Sequence, residues 1–164
     1  MARMTSTLSN GRIIFLSIFA EDLDRMQESD PRLHLYPSRR DYANSTAFFE
    51  AMVREGIIET DFSFFTAPRL PVSTGTYLLP EGNAWVVTAD LDRDSPPDVP
   101  AMFTRNVDID HLPPAGVAPP LSDEPPFGKR GCIVVYMGGS AKRLLADDLA
   151  QFNPSGQTNR VLRP

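Results

Sequence analysis

The clearest pattern in the sequence is an apolar stripe of helical period within the first thirty residues. Its members recur at intervals of three, four or seven: Leu8, Phe15, Phe19, Leu23 and Met26. This spacing places them on one face of an α-helix. A second stripe of the same period adjoins it: Ile13, Leu16 and Ala20. We therefore predict one long helix over residues 1–30, with an apolar face wide enough to need a broad packing surface.

The rest of the chain supplies one more helix and several strands. Asn44, Ser45 and Thr46 are all good N-cap types, and an apolar face follows, so we predict a second helix over residues 45–55. Alternation and β-branched residues predict strands at 83–91 and 100–107 and a hairpin over 131–145. Residues 108–127 are proline-dense and are expected to form a loop without regular structure.

These elements predict an α+β fold in one domain, residues 1–164. The long N-terminal helix would pack on an antiparallel sheet of about four strands. In this scheme residues 31–82 hold the second helix and loops, residues 83–146 the sheet with the Pro-rich loop, and residues 147–164 a polar tail.

Composition excludes some classes of function. The net charge is −5, and the basic residues form no cluster larger than a pair, so a nucleic-acid platform is excluded. Cys132 is the only cysteine, which rules out an intrachain disulfide framework. It lies in an apolar run and is interpreted as a small buried hydrophobe.

Motifs for catalysis are absent from the sequence. Two histidines and one cysteine cannot build a Cys/His zinc cluster, and there is no nucleophile elbow or glycine-rich phosphate loop. The strongest remaining catalytic arrangement would pair His111 with Asp108 or Asp110, as a base and the group that orients it. An enzyme is therefore disfavoured, and a small hydrolase using these three residues is kept as the weakest alternative.

An acidic turn between the two predicted strands is the one candidate metal site. Its carboxylates alternate along the chain: Asp90, Asp92, Asp94 and Asp98. Oxygen ligands of this kind suit calcium. The segment lacks the glycine and the distant glutamate of an EF-hand loop, so an acidic turn exposed to solvent is the competing interpretation. Calcium is the only cofactor that the sequence suggests, and the sequence requires none.

Several short sequence segments resemble segments of a known family, and they occur in the same order along the chain. The segment from Ser9 to Asp24 is similar to the part of the long helix that follows the membrane span in type II secretion pseudopilins and related type IV pilin-like proteins. The phrase Leu35-Tyr-Pro37 resembles the loop after that helix. Four later phrases resemble a divergent subgroup of these proteins: Asn44-Ser-Thr-Ala-Phe-Phe49, Asn83-Ala-Trp-Val-Val87, Met102-Phe-Thr-Arg-Asn106 and Val134-Val-Tyr-Met-Gly-Gly-Ser140.

The resemblance implies a structural protein. It implies a subunit that assembles with other pseudopilins and secretion-system components into a periplasmic filament, which moves substrates across the outer membrane. The family's leader and its span of about 20 apolar residues would precede this sequence, and would anchor the protein in the inner membrane. Apolar residues nearest that anchor are expected to face neighbouring subunits: Met4, Leu8 and Ile13. A second group is expected to face the sheet: Phe15, Leu16, Phe19 and Leu23. The alternative is a soluble pilin-like module that binds calcium or another ligand.

Overall fold

A computed structural model describes residues 2–28 and 36–164 of the chain. Two α-helices come first, α1 (Ala2–Glu28) and α2 (Ser45–Arg54). Five strands follow: β1 (Trp85–Thr88), β2 (Pro100–Thr104), β3 (Gly131–Tyr136), β4 (Ala141–Leu145) and β5 (Val161–Leu162). Three short 3₁₀ turns occur at Phe62–Phe65, Gly128–Arg130 and Ala146–Gln151. The predicted end of α1 at residue 30 lies outside the described residues.

The strands form one antiparallel sheet in the order β4-β3-β2-β1-β5. The α+β class and the long helix on an antiparallel sheet are confirmed. About four strands were predicted and the sheet has five. The fifth strand lies in residues 147–164, which were predicted as a polar tail. That segment returns to the sheet, where Leu162 pairs with Val87 and Val161 with Thr88. A strand of two residues is too short to produce a periodic signal, which is why the sequence pattern did not reveal it.

The second helix forms for reasons that are local. Asn44 has extended backbone angles, and its side chain accepts a hydrogen bond from the Ala47 amide at 2.8 Å, which satisfies an otherwise unpaired N–H. The helix ends before Gly56, whose φ of +72° suits a residue without a Cβ. Phe48, Phe49 and Met52 are buried and turn the helix toward the core.

The first helix packs on the sheet through a stripe of residues that differs from the predicted stripe. The buried positions recur at helical spacing: Thr7, Gly11, Ile14, Phe15, Ile18 and Asp22. Gly11 lies over the indole of Trp85, and a Cβ added at Gly11 would clash with the ring, at only 2.8 Å from Trp85 Cζ2. The absent side chain therefore sets how closely the helix approaches the sheet. Phe15 was placed correctly on the sheet side, whereas Leu16 and Leu23 are exposed, and Phe19 is half-buried.

The other face of the sheet is covered by the proline-dense segment and the C-terminal segment. The rings of Phe103 and Phe152 meet edge to face, with centroids 5.1 Å apart. The hydroxyl of Tyr136 donates to the carbonyl of Phe152 at 3.0 Å, and the Asn153 amide donates to the carbonyl of Pro113 at 2.7 Å. Both faces of β1, β2 and β3 are therefore buried, and α1 is left at the surface with one side free.

Candidate interaction surface on the first helix

The outer side of α1 carries an exposed apolar stripe. Ile13 is 52% exposed, Leu16 is 40% exposed and Leu23 is 46% exposed, and the exposed Ala20 lies between them. The intervals of three, four and three residues are those of the a and d positions of a heptad. Single exposed apolar residues are common on proteins, whereas several at helical spacing on one side of a helix make a candidate interaction surface. We call these four residues the helix stripe.

The residues predicted to face neighbouring subunits are divided by the structure. Ile13 belongs to the helix stripe. Met4 and Leu8 are partly buried and pack against the molecule's own core. The sequence placed Leu16 and Leu23 on the sheet, and the structure places them beside Ile13 instead. Helical period alone could not choose between the stripes, because both are apolar.

The orientation of α1 is fixed by polar contacts in both of its halves. Asp22 is 7% exposed. Its Oδ1 lies 3.3 Å from Arg93 Nη2, and its Oδ2 accepts a hydrogen bond of 3.3 Å from the Tyr36 hydroxyl. Burial, followed by the negative charge of Asp22, raises the pKa of Tyr36 well above its usual value. A second contact, from Arg12 Nε to the carbonyl of Gly139 at 3.2 Å, joins the helix to the β3–β4 turn. These contacts hold the helix stripe facing outward.

The carboxylates of the acidic turn do not converge into a cation-binding site in the structure. Asp90 Oδ2 lies 3.2 Å from Arg39 Nε, and Asp92 Oδ1 accepts hydrogen bonds from the Asp94 amide at 2.9 Å and the Ser95 hydroxyl at 3.4 Å. Asp98 is exposed. Across residues 2–28 and 36–164, no group of three or more His, Cys, Asp or Glu side chains is arranged to hold a metal ion. The turn does have a structural use, because it carries Arg93 to Asp22.

The candidate catalytic residues Asp108, Asp110 and His111 lie at the start of the proline-dense loop, next to strand β5. His111 Nε2 accepts a hydrogen bond of 3.2 Å from Arg160 Nε, and Asp108 Oδ1 lies 3.7 Å from Arg163 Nη1. The carbonyl of Asp110 accepts from the Val161 amide at 3.0 Å. The ion pair and the two hydrogen bonds thus connect each of the three residues to the C-terminal strand, and none of them joins His111 to a carboxylate.

Three buried asparagines were missed at the sequence level, and they organise the loops around the sheet. Asn106 donates to the carbonyls of Gly128 and Gly131 at 2.7 and 2.8 Å. Asn83 donates to the hydroxyls of Ser45 and Thr46, which attaches α2 to β1. Asn153 donates to the carbonyls of Pro113 and Gln157. Asparagine in loops is usually a solvated turn residue, so only the tertiary structure could show that these three are buried.

In comparisons with known proteins, no family model, no curated protein and no solved structure matched this chain. Among the described helices, none is both long enough and apolar enough to cross a membrane.

Proposed function

We propose that this chain is the head of a structural pilin-like subunit, a pseudopilin of a type II secretion or type IV pilus-like system. It would assemble with other subunits into a periplasmic filament, anchored in the inner membrane by a segment preceding this sequence. The observation that carries the proposal is the helix stripe. The proposal also draws on the ordered series of family-like phrases in the sequence.

A filament subunit of this type needs a helix that forms packing contacts on two sides. One side must pack on its own sheet, and the other must contact neighbouring copies. The buried stripe through Gly11 and Ile18 serves the first need, and the helix stripe is available for the second. Complete burial of a leucine or isoleucine contributes about 1.5–3 kcal/mol. Ile13, Leu16 and Leu23 are 40–52% exposed in the single chain, so covering the remaining surface would contribute roughly half of that amount for each side chain.

The helix stripe can be tested by placing charge on it. In the double variant Ile13→Glu and Leu23→Glu, both altered side chains are about half exposed, so we expect the free energy of unfolding to change by about 1 kcal/mol or less. Filament assembly by the full-length protein in its host should be abolished, because two carboxylates cannot be buried cheaply between helices. The measurement is electron microscopy of filaments sheared from cells.

A matched control adds the same charge elsewhere. Ala150→Glu with Thr158→Glu changes two exposed residues outside α1 and should assemble normally. Filaments formed at wild-type level by the Ile13 and Leu23 variant, or none formed by the wild type, would contradict the proposal. The DNA directly upstream of the Met1 codon gives an independent test. We expect it to encode a short basic leader and about 20 apolar residues in frame, and an in-frame stop codon there would contradict the proposal.

A further inference from the structure

A groove lined by arginines opens at the N-terminal end of α1. Its volume is about 590 Å³. Four arginines line it, from four separate segments of the chain: Arg3, Arg69, Arg130 and Arg143. Its other lining residues are apolar or proline, including Met4, Phe127 and Leu145, and no aspartate or glutamate of residues 2–28 and 36–164 lines it. A concentration of positive charge on a chain of net charge −5 makes this surface distinct. We call it the arginine groove.

Two of these arginines are held in place by backbone carbonyls. Arg69 donates from Nε and Nη2 to the carbonyl of Pro126, at 3.3 and 2.9 Å. Arg130 donates from Nε to the carbonyl of Phe127 at 3.2 Å. A guanidinium has five N–H donors, so both side chains keep further donors for an incoming carboxylate. Fixed guanidinium groups are well suited to bind carboxylates, because less side-chain freedom is lost on binding.

A second groove, of opposite charge, lies between the second half of α1 and the turn after α2. Its volume is about 480 Å³. Within the described part of the chain, its charged lining residues are all acidic: Glu21, Asp24 and Glu59. Its apolar lining comes from Ile13 and Ala20 of the helix stripe together with Ile57, Ile58 and Phe64. Arg25, which forms an ion pair with Glu21 at 2.7 Å, is adjacent to it. We call this surface the acidic groove.

We propose that the acidic groove of one copy of this chain docks on the arginine groove of a second copy. The two grooves are complementary in charge, and each adds apolar contact to its charged rim. This inference rests on the proposed function, since it identifies the contact between neighbouring subunits of the filament.

The position of the grooves gives the contact a direction. Met4 lines one groove and Glu21 the other, and they lie about 26 Å apart along α1 at 1.5 Å per residue. Two different patches therefore meet, which makes the contact heterologous. A heterologous contact that does not close on itself repeats from copy to copy and builds an open filament. The first turn of α1 in one copy would then lie against the second half of α1 in the neighbouring copy.

A cysteine pair tests the docking directly. Glu59→Cys and Arg130→Cys each alter an exposed residue on one of the two grooves. When the two variants are mixed with a short thiol cross-linker, a product of twice the 18.2 kDa chain mass should form. Each variant alone should give at least ten-fold less of it. Cys132 is fully buried, so the wild-type chain serves as the unreactive control. No product from the mixture, or equal product from either variant alone, would overturn the inference.

Charge dependence separates docking from random collision. In about 1 M salt, where the Debye length falls to about 3 Å, the yield of the mixed product should drop at least five-fold. Arg3→Glu in the chain with Arg130→Cys should lower the yield similarly, and Asp24→Arg in the chain with Glu59→Cys should restore it. A yield that ignores salt and both reversals would overturn the inference.

The same two variants in cells distinguish this inference from the proposed function. If full-length chains carrying Glu59→Cys and Arg130→Cys assemble into filaments but give no cross-link between the two altered positions, the docking is wrong and the proposed function stands. If the wild type assembles no filaments at all, the proposed function fails. The mixing experiment then decides the docking alone.

Discussion

Gly11 determines the distance between the first helix and the sheet. The Trp85 ring lies where a side chain would start, with three ring carbons no more than 3.0 Å from an added Cβ. Glycine weakens a helix interior by about 1 kcal/mol relative to alanine. The close approach to a fully buried tryptophan therefore explains why the position accepts that cost.

We predict that Gly11→Ala destabilises the protein by about 1–3 kcal/mol, because overpacking against Trp85 exceeds the gain in helix propensity. Chemical denaturation followed by circular dichroism measures the change. Ser9→Ala, at an exposed position of the same helix, is the control and should be neutral or slightly stabilising. Equal stability of wild type and Gly11→Ala would show that the helix does not lie on Trp85.

Tyr136 connects β3 to the C-terminal segment. Its hydroxyl donates to the carbonyls of Phe152 and Gln151 at 3.0 and 3.3 Å. Burial, followed by the nearby groups Cys132 and Asp98, raises the pKa of this hydroxyl above its usual value. The folded protein therefore holds the proton more tightly than the unfolded chain does. This contribution to stability is complete below the unfolded tyrosine pKa of about 10 and is lost as the pH rises above it.

We predict that Tyr136→Phe lowers the free energy of unfolding by about 1 kcal/mol at neutral pH, because a buried carbonyl loses its donor. The variant should also lose less stability than the wild type as the pH is raised past about 10. Urea unfolding across this pH range measures both effects. Tyr77→Phe, at a residue that is 56% exposed, should behave like the wild type in both respects, and a Tyr136 variant that does the same would contradict the prediction.

At the scale of elements, the short strand β5 has more influence than its two residues suggest. Arg163, just after it, donates to the carbonyls of Val107 and Arg105 at 2.8 and 3.0 Å. Its own carbonyl accepts from the Ser45 amide at 3.0 Å. The C-terminus thus joins the loop after β2 to the start of α2.

We predict that Arg163→Ala costs about 1–3 kcal/mol, since two partly buried carbonyls lose charged donors. Arg160→Ala is the matched control. Arg160 is exposed and its side chain reaches His111 instead, so this change should stay within about 0.5 kcal/mol. Thermal unfolding of both variants measures the difference. Equal losses of stability would argue that the hydrogen bonds of Arg163 to the Val107 and Arg105 carbonyls do not stabilise the fold.

Elements differ in how much of them the sequence could predict. The second helix was predicted nearly in full, because its cap at Asn44 and its stop at Gly56 act locally. The hairpin of β3 and β4 has a local turn, in which the Gly139 amide donates to the Tyr136 carbonyl at 2.9 Å. The side of α1 that is buried against the sheet could not be predicted in the same way. Two apolar stripes compete on it, and the choice depends on Trp85, which is 74 residues away from Gly11 in the chain.

At the scale of the whole molecule, a bound ion would be detected through global stability. A ligand that binds only the folded state raises the melting temperature with its concentration. In the structure Asp90 is paired with Arg39, and Asp92 accepts hydrogen bonds from its own turn. We predict that excess calcium leaves the melting temperature equal to that in excess magnesium. A calcium-specific rise that is removed by Asp94→Asn would contradict this and would favour the binding-module alternative.

Charge is also organised at the scale of the whole molecule. A net charge of −5 describes the sum, but the arginine groove assembles residues from positions 3, 69, 130 and 143. Because these positions are so far apart in the chain, no run of basic residues reveals the groove. The sequence analysis found no basic cluster larger than a pair, and the groove of four arginines was not predicted from it.

The sequence by itself determined the helices, the hairpin and the mixed α+β class, because caps, glycine stops and hydrophobic period act between near neighbours. It also identified α1 as a helix with a wide apolar face that needs a broad packing surface. The tertiary structure alone decided which side of α1 is buried, that the C-terminal segment completes the sheet, and where opposite charges gather. Each of these depends on contacts between distant parts of the chain, such as Gly11 with Trp85, and short-range patterns carry no information about such contacts.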